Sequence, residues 1–223
     1  PNNKAEFRDK LMMLAAPFNR DAAEVVKIGQ RYQGRTFGEN GMMLFYDFNR
    51  DTQRRRAFIM DYRAANSAPK MISDLNVRDR YNDIGQPVMK LLPNGRSVIH
   101  QIGDEIFLSG TGASREGDRP FLRKMNLQTL KTEEIFRSDA NSYESFVALI
   151  KDDGTQFITR KESISEAPNL YLQFRCPPGQ TCTALANKQL TDFKDPAPQL
   201  RGIKKQRVQY KRADGVDLSF TLY

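Results

Sequence analysis

The sequence predicts an all-β protein. Three observations carry that reading. Helical periodicity is hard to find anywhere in the 223 residues. Short alternating runs recur throughout instead, among them "MMLFYDF", "RAFIMDY", "SVIHQI", "EIFLSG", "NLYLQF" and "DLSFTL", which is the period-2 pattern of half-buried strands. Four hairpin dipeptides, Asn40-Gly41, Asn94-Gly95, Asp153-Gly154 and Asp214-Gly215, each lead into such a run, and these pairs favour the positive φ angles that tight hairpins need.

The turns have a period. Their glycines are 54, 59 and 61 residues apart. After each turn come a strand, a second strand, a polar turn and a further strand. Four short antiparallel strands recurring at this interval are the mark of β-propeller blades, in units somewhat longer than the commonest ones of about 40–45 residues. In chain order, residues 9–31 supply outer strands of one blade, and 34–76, 85–140 and 143–193 supply three complete blades. Residues 204–223 form a final hairpin about Asp214-Gly215. A β-sandwich also uses many short strands, but it has no reason to space its turns evenly. Three and a half blades fall short of the roughly four that a closed ring needs. The chain is therefore expected to be a partial propeller and a fragment of something larger. The opening "PNNKAEFRDK" fits that expectation, because it lacks the charged and apolar regions of a signal peptide.

Composition bounds the function classes. Apolar residues make up 39% and charged residues 28%, enough for a folded core. No apolar run reaches 18 residues, so no membrane-spanning helix is expected. The formal charge is +8, but 27 carboxylates are interspersed among the 35 Lys and Arg residues. That is a mildly basic surface rather than a nucleic-acid footprint. With one His and two Cys, no metal site or cofactor is expected. Cys176 and Cys182, in "CPPGQTC", bracket a turn between strand-like runs, which favours a disulfide and an oxidising compartment, with free thiols in a cytosolic protein as the other reading. A periplasmic or otherwise exported parent follows from the first.

The residues carry no hydrolytic machinery. The nearest approach to a G-x-S-x-G elbow is Gly112-Ala113-Ser114-Arg115-Glu116-Gly117, with the second glycine one place late and no helix behind it. His100 sits mid-strand in "SVIHQIG" and reads as an ordinary strand residue.

Several stretches nonetheless resemble one family: "APFNRDAAEVVKI", "RYNDIGQPVMK", "GTGASREGDRPFLRKMNLQTLKTEEIFRS", "ITRKESISEAPNLYL" and "QLTDFKDPAPQLRGIKKQRVQYKRADGVDLSFTLY". They are similar to the last propeller blades of prolyl oligopeptidase family serine peptidases, in the glutamyl endopeptidase-like branch. "GASREGDRPFL" and "YKRADGVDLSFTLY" are the most specific parts, and "CPPGQTC" departs from the family's short turn. The resemblance implies propeller blades over residues 1–203 and, at 204–223, a hairpin entering an α/β-hydrolase domain absent from this chain. It implies a domain that gates and shapes the active site, with that hydrolase domain and a peptide as partners, and no catalytic residue of the family maps onto this sequence. A stand-alone propeller binding protein or glycan is the alternative. A blade arc without neighbours bares apolar sheet faces, so the fragment is expected to self-associate. If the parent cleaves after Glu, an arginine should hold the substrate carboxylate. Arg119, between Gly117 and Pro120, is the first candidate, with Arg78, Arg80 and Tyr81 in "VRDRYND" next. The competing role for Arg119 is to pair with Asp118 or Glu116 and brace its loop.

Overall fold

Strand Met42–Asn49 is buried along most of its length, and its apolar residues fall on both of its faces. Met42 and Leu44 lie in one apolar cluster and Met43 and Phe45 in another, because successive side chains of a strand point to opposite faces. A sheet with both faces covered is what stacked blades require. The structure is a computed structural model that describes residues 5–64, 67–176 and 187–223, and it divides into two units, residues 1–137 and 138–223.

The first unit opens with the hairpin β1 (Asp9–Met13) and β2 (Ala23–Ile28). A four-stranded antiparallel meander follows: β3 (Arg31–Phe37), β4 (Met42–Asn49), β5 (Arg54–Asp61) and β6 (Lys70–Asn76). Next come β7 (Gln86–Pro87), β8 (Met89–Leu91), β9 (Ser97–Ile99), β10 (Gln101–Ile102) and β11 (Glu105–Gly110). The unit closes with the small ladder β12 (Ala113–Ser114) and β13 (Gly117–Asp118), then β14 (Phe121–Asn126) and β15 (Thr132–Arg137). The sheet order here is β10-β11-β14-β15, with β7 also pairing with β11, while β8 and β9 pair only with each other.

The middle blade is thus more broken than the even alternation of residues 85–140 suggests. Pro87 lacks the N–H that a continuous ladder needs. Val88 instead donates its N–H to Phe107 O (2.8 Å) and accepts from His100 N–H (2.8 Å), between the β7 and β8 pairings.

The core of this unit is two clusters around the β3–β6 sheet. On one face Met42, Leu44, Ala57 and Ile59 meet Ile99 of β9, Ile106 and Leu108 of β11, Met125 of β14 and Leu127 just beyond it. On the other, Met43, Phe45 and Met60 meet Val26 and Ile28 of β2. The same alternation sorts three consecutive arginines on β5. Arg54 and Arg56 share the face of Asp47 and Asp74, and Arg55 goes to the opposite face, its guanidinium 4.0 Å from the centre of the Tyr46 ring. Asp47 is 1% exposed and receives a bidentate pair from its cross-strand partner Arg56, at 2.9 Å from Nε and 2.5 Å from Nη2.

The second unit begins with a four-stranded antiparallel meander, β16 (Tyr143–Leu149), β17 (Gln156–Glu162), β18 (Asn169–Phe174) and β19 (Lys188–Gln189). Its buried positions are mostly polar. Glu144, Thr159 and Gln173, one from each of three successive strands, form a closed triad. Thr159 Oγ1 and Gln173 Nε2 both donate to Glu144 Oε1 (2.5 and 2.6 Å), and Gln173 also donates to Thr159 (3.0 Å). A short 3-10 turn, Pro198–Leu200, precedes the hairpin β20 (Gln206–Lys211) and β21 (Asp217–Leu222). The described residues contain no α-helix. All four predicted hairpin glycines have positive φ, from 77° to 87°. Cys176 is disulfide-bonded, and Cys182 lies outside the described residues.

The two ion pairs on β5 should differ in weight. Asp47→Ala leaves a part-buried guanidinium facing a desolvated gap, a change that costs about 3 kcal/mol or more. Asp74→Ala breaks a pair whose side chains are 33% and 46% exposed, worth about 1 kcal/mol at most. Urea unfolding of the two variants checks this ordering.

Candidate functional site

Two loops of the first unit converge. The first, 77–85, links β6 to β7. It is held by its own side chains: Asp79 accepts from Asn82 N–H and Nδ2 (3.2 and 2.9 Å), and Asp83 accepts from Gly85 N–H (2.9 Å). The second, 111–120, links β11 to β14. Gly112 has φ +61°, and a Cβ there would fall 2.0 Å from Arg119 O, so no other residue fits this conformation. Arg119 N–H then bonds Gly112 O (2.9 Å), closing the loop around β12 and β13. Ser114 Oγ donates to Gly117 O (2.7 Å) within that loop, so its hydroxyl serves the turn. His100 is buried, with its ring edge-on to Phe107 at 5.5 Å.

The two loops are tied by Arg80, whose Nη2 lies 2.9 Å from Asp118 Oδ2. Asp118, one of the two carboxylates that could brace Arg119, is engaged by Arg80. Arg119 itself is half-buried, and its carbonyl accepts from Arg137 Nη1 (3.2 Å). Arg137 also grips Glu134 with Nε (3.0 Å) and Nη2 (2.5 Å), while Arg123 approaches the same carboxylate at 3.8 Å. The hydrogen bonds from Arg137 hold the Glu134 carboxyl below the usual carboxylate range, against the effect of partial burial, and the charges of Arg137, Arg123 and Arg119 act in the same direction. Arg123 and Arg137 both lie over the buried ring of Phe121, at 4.0 and 5.5 Å. Of the four candidates, then, Arg80 and the Arg119 loop are brought together. Arg78 and Tyr81 occupy exposed positions of the 77–85 loop.

Behind that loop is a cavity of about 150 Å³. Its walls include Leu44, Ala57, Ile72 and Leu108, and its charged lining groups are Arg55, Asp79, Arg80 and Asp83. Burial pushes the Tyr46 phenol above its ordinary value, with the Arg55 charge opposing and the Asp83 charge adding to the rise. Arg55 was not among the residues marked by sequence. The signal available was its place between Arg54 and Arg56: a charge on the apolar parity of a strand buried on both faces needs a special reason.

Comparison with known proteins gives the context. No family profile matches the chain. Two curated proteins do, over nearly all of it. A probable chloroplastic glutamyl endopeptidase of Oryza sativa subsp. japonica is 32% identical over 94% of the chain, and one of Arabidopsis thaliana is 30% identical over 95%. The chain spans 23% of the length of each. Among solved structures, the match to a puromycin hydrolase variant covers 89% of this chain and 34% of that one, at 11% identity and a TM-score of 0.37. The sequence likeness runs through successive four-stranded antiparallel sheets, and it makes this chain similar to one stretch, about a quarter, of those two glutamyl endopeptidases.

Proposed function

We propose that this chain is the substrate-shaping portion of a serine peptidase that cleaves after Glu, with the hydrolytic residues on an α/β-hydrolase domain reached through the β20–β21 hairpin. The observation that carries the reading is the likeness to glutamyl endopeptidases along nearly the whole chain. The arginine cluster supports it. Arg123 and Arg137 hold a glutamate carboxylate of the chain itself, Glu134, and the charge of Arg119 acts on it in the same direction, which is the chemistry a substrate Glu would require. A planar guanidinium is suited to such a group because it can offer two parallel N–H donors. Within this proposal Arg119 contacts the substrate carboxylate, Arg80 fixes the loop through Asp118, and Arg78 and Tyr81 border the entry.

The test uses the full-length protein and two peptides that differ only in Glu or Ala before the cut bond. Arg119→Ala should lower kcat/KM for the Glu peptide roughly ten- to hundred-fold more than for the Ala peptide, the loss expected for one charge-assisted hydrogen bond. An equal fall for both would make Arg119 structural and defeat its assigned role. Gly112→Ala should lower activity toward the Glu peptide by misplacing Arg119, because the added Cβ forces the loop closure open; amide exchange at Arg119 should quicken in the same variant.

An oxidising compartment is also proposed, supported by the disulfide at Cys176. Protein purified without reductant from its native host should leave Cys176 unalkylated by iodoacetamide until it is reduced. Alkylation before reduction would count against that compartment.

A further inference from the structure

The cavity behind the 77–85 loop holds a cation whose hydrogen bonding is incomplete. The other three charged lining groups each have a hydrogen-bond partner. Asp79 accepts from Asn82, Asp83 accepts from Gly85 N–H, and Arg80 pairs with Asp118. Arg55 is different. Its Nε is buried with no hydrogen-bond partner among the described residues. Among the described residues it closes no ion pair, although its neighbours Arg54 and Arg56 both do. The guanidinium lies over Tyr46 at 4.0 Å, so stacking fixes its plane while leaving its in-plane donors for an acceptor. Buried donors without acceptors cost free energy, and a sheet with both faces covered has every reason to exclude one unless something pairs with it. The remaining lining is mixed: Leu44, Ala57, Ile72 and Leu108 supply an aliphatic part, and Ser73 and Asn76 a polar one. At about 150 Å³ it has room for one side chain of roughly leucine size.

We infer that this cavity binds a carboxylate carried on a short aliphatic body, with the carboxylate on the Arg55 guanidinium and the aliphatic part against Leu44, Ala57, Ile72 and Leu108. The chemistry fits either the C-terminal residue of a peptide or an acidic side chain within one. The inference does not rest on the peptidase reading, since the whole site lies in the first unit and needs no catalytic group.

The experiment is a titration of the isotope-labelled chain followed by amide resonances. The probes are N-acetylleucine, its uncharged amide and N-acetylglutamic acid α-amide. N-acetylleucine should shift the Ser73, Gly85 and Leu108 amides saturably in the millimolar range. Its amide should bind about tenfold more weakly or less, since it lacks the charge-assisted pair. Arg55→Gln should weaken N-acetylleucine by the same factor while the remaining spectrum stays folded. Binding of the glutamic acid α-amide as well would place acidic side chains among the ligands, and its failure beside a binding N-acetylleucine would restrict the site to chain termini. Equal binding of acid and amide, binding undiminished in Arg55→Gln, or no shift with any probe would overturn the inference. The acid–amide comparison on the unaltered chain decides the matter even where Arg55→Gln does not fold.

Discussion

Burial of the β3–β6 sheet on both faces is the constraint from which the first unit follows. A sheet open to water on one side can place its charges there, but β4 and β5 have no such side over most of their length. Each charge on them must be neutralised in place or stacked, because desolvating an unpaired ion costs far more than a salt bridge returns at a surface. Asp47 and Arg56 meet that demand through a bidentate pair across the ladder. Arg55 meets only part of it, through the ring of Tyr46. The apolar residues then need no special arrangement. Alternation alone sends Met42 and Leu44 to one cluster and Met43 and Phe45 to the other.

Much of this was legible in the residues. Asn40-Gly41, Asn94-Gly95, Asp153-Gly154 and Asp214-Gly215 mark turns because a left-handed backbone is open to few residue types, a purely local rule that tertiary context does not overturn. Their regular spacing carried the blade pattern with it. The interruption at Val88 was harder to see, since it depends on which strand Pro87 must pair with, and that is set by β11 more than twenty residues later. The arginine candidates show the same division. Arg119 stood out through its flanking Gly117 and Pro120, and the structure does close its loop. The pairing of Arg80 with Asp118 spans 38 residues and has no local signature. Arg55 looked like one member of a basic run, and only the two-faced burial of its strand distinguishes it from Arg54 and Arg56.

The loop clusters have a common logic with the sheet beneath them. Gly85 and Gly110 let the chain pass close to the Phe121 ring, where a Cβ on Gly110 would come within 2.7 Å of it. That ring in turn carries Arg123 and Arg137, and Arg137 holds the carbonyl of Arg119. Backbone room, an aromatic platform and a guanidinium fork are thus stacked in sequence. A change at the Phe121 ring therefore reaches the Arg119 carbonyl through Arg137.

The polar triad of the second unit has a thermodynamic meaning. Among the described residues, Phe157 is the single buried apolar side chain of that unit, beside buried Ser138, Glu144, Thr159, Asn169 and Gln173. Apolar surface raises the heat capacity when it is exposed to water, and polar surface lowers it. A unit held by Glu144, Thr159 and Gln173 therefore has a flatter stability curve than one held by Leu44, Phe45 and Leu108. Cooling, which weakens hydrophobic association, should loosen residues 5–137 before it loosens 138–223, so the two halves of one chain would respond to temperature in different ways.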